Sequence, residues 1–271
     1  MSAARTTLRQ RGFALLIVLW SLVLLSLILT QMLSAGRTEA QLAANLRNAA
    51  MAEAVADGAV EEALFHLAAH GPLAWRPEGT HLVRIGHGAA EVAIEDQSNK
   101  VNPNSADAAL LQAMLVSCGA SPGQAAGLSQ AVIAWRGDAD GSGADMTAPY
   151  RAAGLGYLPP REPMQSLDEL PMIVGVTPQL ASCLRPHMSL YSDGPASARS
   201  ADPFVAQAVM VATQGGNALA GTPSTAGDTA VEITARATVP GGRFVRRATA
   251  RLIPAEDKRP FRILRWEAGP G

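Results

Sequence analysis

From Gly12 to Gly36 the sequence carries no charged residue, and no other feature restricts the possible folds so strongly. A helix needs roughly 20 apolar residues to cross a bilayer core, and Phe13–Leu33 supplies them. Arg5, Arg9 and Arg11 precede this stretch and no acidic residue does. The positive-inside rule then keeps the N-terminus in the cytoplasm and sends the rest of the chain outward. Three readings fit so far. The stretch is a removable secretory signal with Ser34-Ala35-Gly36 as its small-residue cleavage site, a plain single-pass anchor, or a segment that is cut at its basic leader and kept.

The residues downstream favour the third reading. The apolar run flows into RTEAQLAANLRNAAMAEAVADGAVEEALFHLAAH without a proline. Alanine and glutamate favour helix. Leu42, Leu46, Ala49, Ala56, Val60, Ala63 and Leu67 follow 3–4 spacing and make a narrow apolar stripe. Gly71-Pro72 ends the pattern. The expectation is one helix of about 55 residues, roughly 80 Å long, membrane-soluble in its first half and amphipathic in its second. A disposable signal has no need to run on into such a helix.

A basic leader, a glycine and then a phenylalanine opening a hydrophobic helix resemble the type III signal of type IV pilins and type II secretion pseudopilins. In that family prepilin peptidase cuts after the glycine and the phenylalanine is N-methylated, which implies cleavage between Gly12 and Phe13. Most members carry glutamate at the fifth mature position; Ile17 stands there in this chain. Among pseudopilins the K subunit typically lacks that glutamate, and RGFALLIVLW resembles its start.

Beyond Gly71-Pro72 the period changes from 3.6 to 2. His81–Ile85 and Glu91–Glu95 alternate around Gly86-His87-Gly88 and read as a β-hairpin. Val231–Val239 alternates as a half-buried strand, Pro240-Gly241-Gly242 turns the chain, and Arg247–Leu252 returns. A last strand is expected over Phe261–Trp266. Between the β regions, Ala106–Cys118, Ser121–Trp135, Ser166–Met172 and Thr177–Leu184 read as short helices, marked by Ser121-Pro122, Thr177-Pro178 and the capping-box pattern Ser166-x-x-Glu169. Ala212–Asp228 reads as a flexible loop. The fold class expected is α+β: a pilin-like long N-terminal helix packed on an antiparallel sheet, with a large helical insertion of SAM-like or helix-hairpin-helix type. The expected boundaries are 1–12 for the leader, 13–70 for the helix, 78–104 for the first β part, 105–193 for the insert and 200–267 for the second β part.

Such an insert resembles pseudopilin K specifically. SNKVNPNSA matches the family's Asn-x-Asn motif through Asn102 and Asn104, PYRAAGLGYLPPREPMQSLDEL resembles its Tyr…Leu-x-Glu-Leu stretch, and FRILRWE its end. The family's second asparagine motif corresponds here to ARSADPFVAQAVM, which has no asparagine. The resemblance spans most of the chain and is weakest over 194–228.

WRGDADGSGAD is the sharpest local signal after the N-terminus. Asp138, Asp140, Ser142 and Asp145 can supply several oxygens to a hard cation such as Ca²⁺ from one tight turn. It matches the first half of an EF-hand loop, but the twelfth position is Pro149. Glu162, Asp168 and Glu169 are candidates for the remaining ligands. A solvated acidic turn is the plain alternative. The resemblance also implies calcium, since pseudopilin K binds it at a W-x-D-x-D…G-A-E pattern; here Trp135 lies one residue further from the first aspartate and Asp145 replaces the glutamate.

His66 and His70 lie four apart, but HLAAH lacks the glutamate of a metalloprotease helix, so they read as a surface stripe. No catalytic constellation is visible, and the chain is read as a non-enzyme without a small-molecule substrate. SLDELPMIVGVTPQLASCLRP resembles a helix-hairpin-helix unit, but the hairpin Val174-Gly175-Val176 has no flanking Lys or Arg before Arg185, which favours a structural role over DNA binding. The formal net charge of -1 likewise creates no global field for nucleic acid. Cys118 and Cys183 are either a disulfide, which an exported topology permits, or two separate buried thiols. The resemblance implies a minor pseudopilin that caps the pseudopilus tip and initiates its assembly. It would sit in the bacterial inner membrane with its C-terminal domain periplasmic and partner the I and J minor pseudopilins. The alternative is a membrane-anchored extracytoplasmic DNA-binding protein.

Overall fold

The computed structural model describes residues 7–137, 147–214, 229–253 and 260–269, with the side chains of 7–12 and 32–37 left aside. A single helix, α1, runs Thr7–Ala68. At 1.5 Å per residue it is about 90 Å long. Gly71, in the left-handed region at φ 72°, opens the short 3-10 turn Gly71–Leu73 just beyond the helix end.

Among the described residues, only the C-terminal part of α1 meets the rest of the molecule. Five strands form an antiparallel sheet in sequence order: β1 Gly79–Ile85, β2 Gly88–Asp96, β3 Ala230–Val239, β4 Gly242–Leu252 and β5 Phe261–Ala268. The β2–β3 pairing, with Val92 opposite Ala235, joins segments separated by more than a hundred residues. Period-2 patterning decides the faces: Val92, Ile94, Val231, Ile233, Ala235, Ala237, Ala248 and Ala250 point inward. Against them α1 places Ala52, Ala56, Ala59, Val60, Ala63 and Leu64, all inaccessible to solvent. Four alanines in this stripe bring the helix axis close to the sheet, and the Val and Leu each contribute about 1.5–3 kcal/mol of burial.

A second core, sharing no residue with the first, belongs to the helical block. It comprises α2 Ala108–Ser117, α3 Pro122–Arg136, α4 Thr147–Ala152, the 3-10 helix Leu167–Met172, α5 Pro178–Leu184 and α6 Pro203–Gln214. The expected caps are present: Ser121 and Ser166 each close a capping box, and Thr177 accepts from Leu180 N–H.

The second β part does not begin at 200. Residues 203–214 are helix α6, and Val205, Ala208, Val209 and Ala212 are buried in the helical core. Their 3–4 spacing suits a helix face, and Asp202 caps it by accepting from Phe204 and Val205 N–H. The expected loop Ala212–Asp228 therefore starts with the last turn of α6, and 215–228 lies outside the described residues.

Candidate functional site

The apolar end of α1 comes first in the chain. Phe13–Gln31 is long and apolar enough to cross a membrane, and no part of it is covered by the molecule. Phe13, Leu16, Ile17, Trp20 and Leu24 line a shallow apolar groove along one face. Ser21 donates to the Ile17 carbonyl one turn back, so its hydroxyl presents no free donor to lipid. Gly12 lies inside α1, immediately before this span. Further along, Leu42 and Leu46 remain exposed although they continue the stripe that Ala52–Leu64 buries. The amphipathic stripe is thus longer than the sheet it packs on.

Where α1 reaches the sheet, Arg246 on β4 holds it. The Arg246 side chain is 8% exposed and pairs with Asp57 and with Glu53 at 2.7 Å, both on α1. Its guanidinium lies 4.8 Å from the Phe244 ring centroid and 5.3 Å from that of Trp266. The hydrogen bond to Asp57, then that to Glu53, pushes the Arg246 pKa up against the opposing effect of burial. A buried guanidinium needs all its polar neighbours, so this cluster fixes helix register as well as charge. Further along the same helix–sheet seam, Gly241 adopts φ 77° at the β3–β4 turn, where a Cβ would stand 2.5 Å from the Asn48 amide of α1.

In the helical block the two ends of the acidic segment 138–146 are firmly held. On one side Trp135 is buried and its indole N–H donates to Glu169 at 2.8 Å. Arg136 donates to the Pro103 and Ala106 carbonyls. On the other side Tyr150 is buried, stacks near Trp135, meets Tyr157 edge-on, and accepts from Val174 N–H. Burial pushes the Tyr150 phenol up. Gly137, at φ 83°, comes so close to Arg161 that a Cβ would sit 2.6 Å from the Arg161 carbonyl oxygen.

The expected calcium ligands Asp138, Asp140, Ser142 and Asp145 lie outside the described residues. Of the auxiliary candidates, Glu169 is already committed. Its oxygens accept from Trp135, Gln165 N–H and Ser166 N–H. Burial would raise its carboxyl, but these three donors outweigh that and hold it below its ordinary value. Asp168 pairs with Arg185, whose hydrogen bond holds the Asp168 carboxyl low. Glu162 is exposed and follows Arg161, the residue that touches Gly137. Among the described residues it is the one auxiliary candidate left uncommitted beside the start of the segment.

The Asn-x-Asn motif ties the start of the block to its end. Asn102 donates to the Leu190 and Ser192 carbonyls, while its own oxygen accepts from Asn104 N–H. Asn104 exchanges two bonds with the Met164 backbone. A side-chain amide that both donates and accepts is what such a crossing of three segments requires. Cys118 and Cys183 form a disulfide that closes a 65-residue loop around the block.

A family model described as type II secretion system (T2SS), protein K, matches residues 87–193. That span holds β2, the Asn-x-Asn crossing and the disulfide-bonded block up to but not including α6. Over that span the chain is similar to the type II secretion protein K family. No curated protein matches the sequence. The fold is similar to a chain of the crystal structure of the GspK-GspI-GspJ complex from the type 2 secretion system of enterotoxigenic Escherichia coli. The TM-score is 0.59 at 12% identity, over 87% of this chain and 99% of that one.

Other expectations for this chain resolve differently. His66 is not part of a surface stripe: its Nδ1 donates to the Leu73 carbonyl, and its ring stacks on Trp75, which in turn stacks on His81. His70 lies past the end of α1. A groove of about 660 Å³ beside the Val174-Gly175-Val176 hairpin is lined by Gly123, Gly127, Leu128 and Leu180 among others, with no charged side chain among the described residues. Those residues offer phosphates no cation, and Arg185 is engaged with Asp168 elsewhere. The Arg246 cluster escapes a reading of the sequence because its partners lie 189 and 193 residues away. The only local hint is an arginine at an inward-facing strand position.

Proposed function

We propose that this chain is a minor pseudopilin that is cleaved between Gly12 and Phe13, methylated at Phe13, and placed at the tip of a periplasmic pseudopilus. The observation that carries this reading is the division of α1. One half is apolar and entirely uncovered, and the other is locked to a sheet that bears a bulky helical block. A subunit built this way can pack its stalk among other stalks, while the block is too large to repeat along a filament. Ile17 in place of the family's usual glutamate suits a terminal subunit, which has no subunit above it to address. The known complex of GspK with GspI and GspJ supports the corresponding I and J pseudopilins as partners; with them the subunit would initiate assembly. The membrane would be the bacterial inner membrane, with Arg5, Arg9 and Arg11 on the cytoplasmic side.

Calcium belongs to the same reading. Asp138, Asp140, Ser142 and Asp145 would hold it, with Glu162 as the available outside carboxylate, and it would stiffen the segment strung between Trp135 and Tyr150. The deciding experiment is co-expression with prepilin peptidase followed by sequencing of the mature N-terminus. Methylated Phe13 is the expected result; a chain starting after Ala35, or an intact Met1, sinks the proposal.

A further inference from the structure

The sheet and the helical block have separate cores, and the surface between them is a charged cleft of about 400 Å³. The sheet side contributes Glu232, Arg247, Arg265 and Glu267, and the block contributes Asp168 and Arg185. Every one of these charges is paired within its own side: Asp168 with Arg185, Glu232 with Arg247 at 3.3 Å, and Glu267 with Arg265 at 2.8 Å. None of these pairs bolts one body to the other.

The described connections are concentrated at one neck. Residues 97–101 lead in, with the 3-10 helix Gln97–Asn99 resting on the sheet and Val101 already paired to Met188 of the block. The way out is held by Asn99, which accepts from Ser200 and Ala201, and by Arg251 of β4 pairing with Asp193. The cleft opens beside this neck.

The charges on its walls are complementary. Asp168 on the block already feels Arg265 on the sheet, and Arg185 and Glu267, of opposite sign, line the same cleft. Narrowing the cleft exchanges pairs within each body for pairs across it, and widening reverses the exchange. Both arrangements leave the charges partnered, and exposed pairs differ by only fractions of a kcal/mol, so neither is strongly preferred. We propose that the helical block rocks on the sheet about this neck, and that the cleft's exchangeable ion pairs set how far it stays closed.

The test uses full-length chain in detergent or nanodiscs with its disulfide intact. Spin labels at exposed Gln130→Cys on α3 and Thr238→Cys on β3 report the distance between the bodies by pulsed electron paramagnetic resonance. Two populations are expected, with their ratio changing at high salt as the pairs within each body and those across the cleft are screened to different extents. Arg265→Glu, which sets like charges across the cleft, should raise the long-to-short ratio about threefold. A single narrow distance at all salt concentrations overturns the proposal. So does a broad one that answers neither to salt nor to the charge reversal. Salt titration of the parent labelled pair decides the matter even if Arg265→Glu misfolds.

Discussion

Arg246 decides how the stalk meets the head. A methionine there would keep most of the packing against Phe244 and Trp266 but leave Asp57 and Glu53 without their cation. Because both carboxylates are partly exposed, the expected cost is intermediate between a surface pair and a buried one, about 2 kcal/mol, or roughly 5 °C in Tm. The same cost should shrink when Arg246→Met is combined with Asp57→Asn, since the second change removes the stranded charge. Glu169 makes a different prediction. Its folded-state pKa is lowered, so the unfolded chain binds the proton more readily. Its contribution is full above the ordinary glutamate value and is lost as pH falls through the folded one. Acid unfolding of Glu169→Gln, followed by tryptophan fluorescence, should therefore be flatter than wild type below that ordinary value and weaker than wild type above it. Neither role shows in the sequence. Ser166-x-x-Glu169 announces a cap, which it is, but the tryptophan it also holds lies 34 residues upstream.

At the level of elements, the helix–sheet contact depends on small side chains. Ala59 is wholly buried between α1 and the sheet. Ala59→Leu should overpack that seam by about 1–3 kcal/mol, visible as a lower urea midpoint with an unchanged slope. The long helix, both hairpins and most of the block's helices are legible, because each carries a period, a cap or a turn residue in its own sequence. Helix α6 falls within the expected second β part, although Asp202-Pro203 repeats the cap-then-proline signal seen at Ser121-Pro122 and Thr177-Pro178. Its valines suit a strand equally well, and burial against α2, a tertiary effect, settles it as helix. The disulfide is open in the sequence because two cysteines allow either state. The bond closes a 65-residue loop, which is worth about 4 kcal/mol on chain-entropy grounds.

For the whole molecule, the proposed calcium site yields a prediction independent of assembly. Saturating Ca²⁺ should raise the Tm of the full-length chain by roughly 5 °C, as binding energy adds to folding energy. Asp138→Ala combined with Asp140→Ala should abolish that rise, and an equal rise in the double variant would remove the ion from the account. The overall plan of stalk, sheet and block is legible from the order of periodicities. The division into two cores is not, since it depends on which buried faces meet.

The turn at Pro240-Gly241-Gly242 touches α1 at Asn48, and that contact sets a clearance. With Phe13–Gln31 in the bilayer, the 17 residues from Gln31 to Asn48 span about 25 Å of helix. The head would then ride well above the lipid surface on a single rod, with Leu42 and Leu46 displayed along it. The gap is tall enough for neighbouring helices to lie against that rod before any head meets another.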